Sequence, residues 1–507
     1  MRTFTTLSVC LLSGVCALPP VYGFWDATIV PKWYAGAGLL LAMGFVFLWK
    51  SYRPRKNDCL KGVRMGACLC IVIQFCYVVY ECMLFPHRVL AVGVKGTYDN
   101  PAALALCLCL FLPALCPRRQ MQPRVRLYFC MLLFSCLAML IASQSRTGML
   151  AMSFMLLVFL LRHLRWNTFY KTSLLFVCVL AVLFFVSTRK TDSTRGRLFI
   201  LQRTWELVKE HPILGFGPFG FSRNYMTCQA DFFRQHPESS FAMLADEVRH
   251  PLNEFLLVWV DYGLVGTLLL LGVFILALKT AWHSPFFYSL LVLLIFSCFS
   301  YPFHLPLSWL VLGTPFVKKI KTLHIPNPLR WGLSVLCVAL FGFLTYRFVL
   351  ECQWSSVARK CLQGRSRVMM PVYETLYSHF SHHPYFLYNY AAEQYQAGEF
   401  EHARQTLSEC GQYVSGYNVE LLAGDVCCRL HEYDTAQAHY SQAHAMCPSR
   451  FAPLEGMLHV YTQQGYSLSA RCVASMIRSQ QMKVASPDAL RIKRETELFK
   501  LNKTLFK

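Results

Sequence analysis

Charge is what this chain of 507 residues has least of: 15% Asp, Glu, Lys and Arg, against about 25% in an average soluble domain. Acidic residues are the scarcer sign, 27 against 49 basic ones, for a formal net charge of +22. No Asp-x-Asp pair occurs, and no Cys-x-x-Cys is matched to a second pair or to spaced histidines, so no metal site is evident. With so little charge there is not enough polar surface for a soluble nucleic-acid binder of this length. A secreted disulfide scaffold and a disordered chain are equally poor fits. What the chain does have is apolar sequence, 55% of it, in long runs such as 174–186 that recur along the first 350 residues. Most of the 23 cysteines lie inside those runs, Cys70, Cys107 and Cys136 among them, where a thiol acts as a small hydrophobe. Cys410, Cys427, Cys428 and Cys447 lie in the polar tail and leave a disulfide open. The composition reads as an all-α polytopic membrane protein.

A spanning helix needs about 20 apolar residues. The runs at 5–22, 33–49, 65–85, 101–116, 127–143, 148–161, 172–188, 252–278, 285–302, 305–317 and 331–350 give eleven expected spans. The first is read as a helix because GVCALPP is a poor cleavage site for a signal peptide. One alternate set of loops holds Lys50, Arg53, Arg55, Lys56, Lys61, Arg64, Arg118, Arg119, Arg124, Arg126, Arg162, Arg165, Lys171, Lys279, Lys318, Lys319, Lys321 and Arg330. The other set holds Lys32, Arg88, Lys95 and Arg146. Eighteen positive charges against four predict a cytoplasmic N-terminus. The loop 189–250 and the tail after residue 350 then lie outside the cytoplasm, which in a bacterial inner membrane means the periplasm.

From about 352 the composition turns polar and helical. Gly398-Glu399-Phe400 with Ala403 returns as His431-Glu432-Tyr433 with Ala436, and a weaker third copy includes Tyr466 and Ala470. A period near 34 with an aromatic at the turn, small residues at helix crossings and Pro448 closing a unit resembles the tetratricopeptide repeat. The expected organisation is a transmembrane domain over 1–350 and a helical repeat domain over 352–507. Such repeats stack into a surface that binds a protein partner.

Four polar segments border the apolar runs, all on the side depleted of positive charge. They are Gly96-Thr97-Tyr98-Asp99-Asn100-Pro101; Ser143-Gln144-Ser145-Arg146-Thr147-Gly148; the loop 189–250; and His250-Pro251-Leu252-Asn253-Glu254. The loop carries Arg195, Gly196 and Arg197, and then a helix on which Leu198, Leu201, Trp205 and Val208 are expected to share one face. His211-Pro212 and the turn Gly215-Phe216-Gly217-Pro218-Phe219-Gly220 follow. Each feature has an ordinary counterpart: Gly-Pro turns reverse chains, an arginine at a helix end snorkels, Trp205 and Phe219 fit an interfacial belt as well as a sugar platform. Together they suit transfer from a phosphate-linked lipid. Guanidinium pairs with phosphate oxygens at any relevant pH, and histidine can take the proton of an acceptor hydroxyl.

In their order these segments resemble the O-antigen ligase/polymerase family of bacterial membrane glycosyltransferases, over about residues 30–310. The matching pieces are G-T-Y-D-N-P-A-A-L-A, S-R-T-G, the run from Arg197 through Trp205 to His211-Pro212-Ile213-Leu214-Gly215-Phe216-Gly217, and Asn253-Glu254-Phe255-Leu256 with Asp261-Tyr262-Gly263-Leu264-Val265-Gly266. The resemblance implies a metal-independent, inverting transfer of a glycan from undecaprenyl pyrophosphate, with no cofactor. It implies Arg146 and Arg197 at the donor phosphates, His250 as base, and Asn100, Arg195, Trp205, Gly215, Gly217 and Asn253 as substrate-binding residues. The family's histidine motif reads His-Asn where this chain has Leu252-Asn253, with His250 two residues earlier; His211 and His236 are the other imidazoles of the loop. The acceptor stays open among a lipid A core, a growing glycan and a protein. A transporter of lipid-linked sugar, with Glu81 and Asp261 as its intramembrane carboxylates, and a non-catalytic scaffold are the rivals from other classes.

Overall fold

The computed structural model describes residues 2–21, 24–49, 56–116, 121–164, 167, 169–170, 173, 192–319 and 326–501. Among these residues there are 21 α-helices and no strand. Six helices are long and apolar enough to cross a membrane: Val30–Trp49, Asp58–Leu84, Pro123–Ala142, Arg146–His163, Glu254–Ala281 and Asn327–Cys361. Thr5–Ala17, Pro101–Leu115 and Phe286–Phe299 are apolar but shorter, and the expected span 305–317 is the eight-residue helix Pro306–Gly313. The expected span 172–188 lies outside the described residues, save residue 173. The chain forms two compact units.

The first unit comprises Met1–Val182, Asn253–Phe255 and Leu268–Ser355. Its centre is Pro101–Leu115, in which every residue from Ala103 to Leu115 is buried. The start of this helix is written in sequence: Pro101 occupies the first turn, and the Asn100 side chain accepts the Ala103 N–H at 2.8 Å. Helices Lys56–Leu84, Pro123–Ala142, Arg146–His163 and Phe286–Phe299 surround it. Small residues set the closest crossings. A Cβ on Gly148 would fall 2.6 Å from that of Ala105. Gly62 and Gly66, four residues apart, let helix Lys56–Leu84 lie against Arg2–Gly14, where a Cβ would come within 2.6 Å of the carbonyl oxygens of Thr6 and Cys10. Gly66→Leu should therefore destabilise the protein by about 1–3 kcal/mol of overpacking, read as a lower midpoint of thermal unfolding in detergent. An unchanged midpoint would mean that the two backbones are not so close.

The second unit comprises Leu183–Leu252, Leu256–Thr267 and Ser356–Lys507. In this unit the loop packs with the tail. Leu207 and Val208 of helix Asp192–Glu210, Phe221, Tyr225, Met226 and Ala230 of helix Gly220–Gln235, and Val260 share one core with Tyr417, Ala443, Met446 and Cys447. Buried Gln229 ties the two parts as well, its amide donating to the Met446 carbonyl at 2.7 Å.

The tail itself holds three helical hairpins: Pro384–Ala397 with Phe400–Gly411, Tyr417–Arg429 with Tyr433–Met446, and Ala452–Gln463 with Ser467–Ser479. Each turns at a left-handed residue, Gly398, His431 and Gly465, and the next N–H reaches five residues back, Glu399 to Gln394, Glu432 to Cys427 and Tyr466 to Tyr461. Ala403, Ala436 and Ala470 are fully buried behind these turns. The Tyr440 ring fits against its own hairpin partner and the next hairpin only because positions 424 and 456 are glycine; a Cβ at either would lie within 2.6 Å of it.

Candidate functional site

Three of the four non-glycine residues with positive φ among those described fall in the segments singled out from sequence: Gln144, Phe219 and Leu252. Glycines supply the same conformation at Gly96, Gly215 and Gly217. Left-handed backbone at a bulky residue costs on the order of 1–3 kcal/mol and persists where the surroundings fix it, commonly at functional sites.

In the first unit, Ser145 caps helix Arg146–His163 by accepting the Gly148 N–H at 3.1 Å, which leaves Arg146 exposed in the first turn. A cation there opposes the helix dipole. Asn100 caps Pro101–Leu115 and also donates to the Asp99 carboxylate and the Tyr301 hydroxyl. Asn253 donates to the Cys298 carbonyl at 3.1 Å. Glu81 accepts the N–H groups of Lys95 and Gly96 and so fastens the G-T-Y-D-N-P segment.

In the second unit two glycine motifs are halves of one joint. Helix Glu254–Ala281 breaks at Gly263, whose φ of 66° and ψ of −166° free the neighbouring backbone groups from the helix ladder. The turn after His211 takes them up. Phe216 and Gly217 N–H donate to the carbonyls of Val260 and Asp261 at 2.8 and 2.9 Å, and Leu264 N–H donates to the Pro212 carbonyl at 2.9 Å. The Asp261 carboxylate accepts the Phe221 N–H at 2.9 Å, at the start of helix Gly220–Gln235. A Cβ on Gly263 would lie 2.0 Å from the Ile213 oxygen, and one on Gly215 2.6 Å from Asp261 backbone. Gly215 is required for this close approach. Gly217 has φ +84° and stands near Arg223, whose guanidinium donates to the carbonyls of Phe216 and Pro218.

Helix Asp192–Glu210 turns most of the expected apolar face outward. Its buried residues are Phe199, Thr204, Leu207 and Val208, while Leu198 and Trp205 are 52% and 43% exposed. Only Val208 of the expected apolar face is in the core. The helix has two apolar faces, and Phe199, Phe221 and Tyr225 supply the rings that hold the inner one. Arg197 is exposed on this helix, and Arg195 donates to the Ser240 hydroxyl at 2.9 Å. Trp205 stands edge-on to Trp259, ring centres 5.5 Å apart.

His250 is half-buried between exposed Arg249 and buried Pro251. The residues leading to it are clamped by the tail. Arg450 donates to Asp246 at 2.6 Å, and Lys483 donates to the carbonyls of Leu244 and Ala245 and reaches Asp246 at 3.4 Å. Asn418 donates to Glu247 at 3.0 Å, and Arg249 lies over the Tyr385 ring. Burial pushes the Asp246 carboxyl up, but the Glu247 N–H and the Arg450 guanidinium outweigh it and hold the group below its ordinary value. Sequence reading passed over these residues. The one signal was the acidic pair Asp246-Glu247 in an acid-poor chain. His211 rests edge-on against Phe216, and His236 stacks on Phe232.

Residues 130–271 match the family model described as O-antigen ligase. The matched stretch contains the S-R-T-G hinge, helix Asp192–Glu210, the turn, His250 and the break at Gly263. Over that stretch the chain is similar to the O-antigen ligase family, and the described helices, six of them long and apolar enough to cross a membrane, are consistent with a polytopic membrane protein. No curated protein matches the chain. Among the described residues no three metal-ligating side chains come together.

Proposed function

We propose that this protein moves a glycan from undecaprenyl pyrophosphate to an acceptor hydroxyl at the periplasmic face of a bacterial inner membrane. The observation that carries the proposal is that the family match falls on the stretch where turn and helix break are built into one joint, with exposed Arg197 and half-buried His250 in the same unit. In the proposed reaction the acceptor oxygen attacks the anomeric carbon and the bond to pyrophosphate breaks. His250 receives the hydroxyl proton, and guanidinium stabilises the charge that collects on the leaving phosphate. Arg197 is assigned that role, and Arg146 is proposed for phosphate by the resemblance and by its place where the helix dipole favours an anion. We read a lipid A core as acceptor, which makes the protein a ligase; a growing glycan or a protein serine or threonine are the alternatives within the family. The three hairpins of the tail are read as tetratricopeptide-like units, on their period and their shared turn.

The test is transfer by purified protein given a lipid-linked donor and each acceptor class in turn. Arg197→Lys should cut transfer at least tenfold at equal protein level although the charge is kept, since a point ammonium cannot reproduce a two-pronged phosphate contact. Arg146→Lys is the parallel test in the first unit. Normal transfer in both variants would return the arginines to anchoring roles. Movement of intact donor between leaflets without transfer would favour the transporter reading. The structure already gives both intended transporter carboxylates another task, since Glu81 fastens the G-T-Y-D-N-P segment and Asp261 receives the Phe221 N–H.

A further inference from the structure

The outer face of helix Asp192–Glu210 and the turn that follows it present large apolar side chains that stay exposed among the described residues, with Leu201 half-buried between Leu198 and Trp205. Leu198, Leu201 and Trp205 follow one another at helical spacing on that face, with Arg197 one turn before Leu201. Past the helix end Ile213 and Leu214 are 63% and 74% exposed. These two are not loose. Pro212 accepts both the Leu264 N–H and the Trp259 indole N–H at 2.9 Å, Val265 N–H reaches the Ile213 carbonyl, and Phe216 and Gly217 are bonded to Val260 and Asp261. Two aliphatic tips held outward by a rigid joint mark a contact surface.

What covers them is decided by the helix they are pinned to. Glu254–Ala281 is one of the six helices able to cross a membrane, and beyond its break Leu264, Val265, Leu268 and Leu269 are exposed in sequence. On a spanning helix such residues face acyl chains. The Pro212–Leu214 turn is bonded to the first two of them, so it is continuous with that lipid-facing surface. Trp259, whose indole N–H donates to the Pro212 carbonyl, and Trp205 beside it are the residue type that settles at the headgroup level.

We propose that Ile213 and Leu214, with the Leu198–Leu201–Trp205 stripe, form an interfacial foot by which the loop is seated in the bilayer surface. Trp205, assigned from sequence to substrate, belongs to this foot. The inference does not rest on the transfer reaction. It places the loop at the level where a lipid-borne substrate carries its phosphate.

The experiment places a fluorescent amino acid at Leu214 of the full-length protein by codon suppression, with a second sample labelled at exposed Gln235 as reference, both reconstituted into phospholipid vesicles. Lipids brominated near the headgroup end of the chain should quench the Leu214 label at least twofold and leave the Gln235 label unchanged. Aqueous iodide should do the reverse. Quenching of the Leu214 label by iodide as strongly as the reference would overturn the proposal. So would a Leu214 label that neither agent reaches, since a second copy or another protein would then cover the tip.

Discussion

Ending the chain at residue 361 should abolish transfer and leave residues 192–250 open to protease. The tail is not an appendage in this protein. Tyr417, Ala443, Met446 and Cys447 form a large part of the core that buries Leu207, Phe221, Tyr225 and Met226. Without them those side chains, three of them aromatic or long, face water, and the Gln229 amide and the Ser222 carbonyl lose their partners in Met446 and Ser415. The segment before His250 loses Arg450, Lys483, Asn418 and Tyr385 at the same time. A point version separates packing from deletion: Met446→Ala should cost about 2–5 kcal/mol of cavity and lost burial, seen as a lower unfolding temperature and faster cleavage within helix Gly220–Gln235. A truncated protein that keeps both transfer and protease resistance would show that the loop folds without the tail.

Some of this was legible in the sequence, and the reasons for the rest are physical. Apolar runs and their flanking prolines locate helices such as Val30–Trp49 and Pro101–Leu115 because both report directly on solvent and on backbone donors. The tail's period is legible because each hairpin needs a left-handed turn residue and a small residue behind it, so Gly398, His431 and Gly465 recur. Hydropathy cannot tell a helix facing lipid from one facing protein, and so Pro101–Leu115 reads as any other span although it is buried from Ala103 to Leu115. Nor can periodicity rank two apolar faces of one helix: Leu198–Leu201–Trp205 is as regular as the inner face formed by Phe199, Thr204, Leu207 and Val208. Lys32, counted from sequence as a loop charge, is 1% exposed and donates to the carbonyls of Thr28 and Thr97. The core shared by loop and tail has no local signature at all, since it joins residues some 200 positions apart. The glycine motifs were visible, but their meaning was not. Gly215, assigned from sequence to substrate, and Gly263, part of the matched motif, are each required where the turn and the broken helix touch.

His250→Ala should lower transfer by about 10²–10⁴ while donor binding is largely kept, the usual cost of removing a general base. The departure from the family's His-Asn pattern gives this test a second arm. Leu252 holds a φ of +56°, a conformation that leucine adopts reluctantly and histidine visits more readily. Leu252→His is therefore compatible with the backbone as it stands, and it puts an imidazole directly before Asn253. In the His250→Ala background this change should restore a measurable part of the lost rate, because His250 and position 252 flank the same buried Pro251. Rescue without any change in donor affinity would locate the proton acceptor at this turn. If His250→Ala and Asn253→Ala both keep full transfer in purified protein, the base is another group and the catalytic centre is not built on this segment.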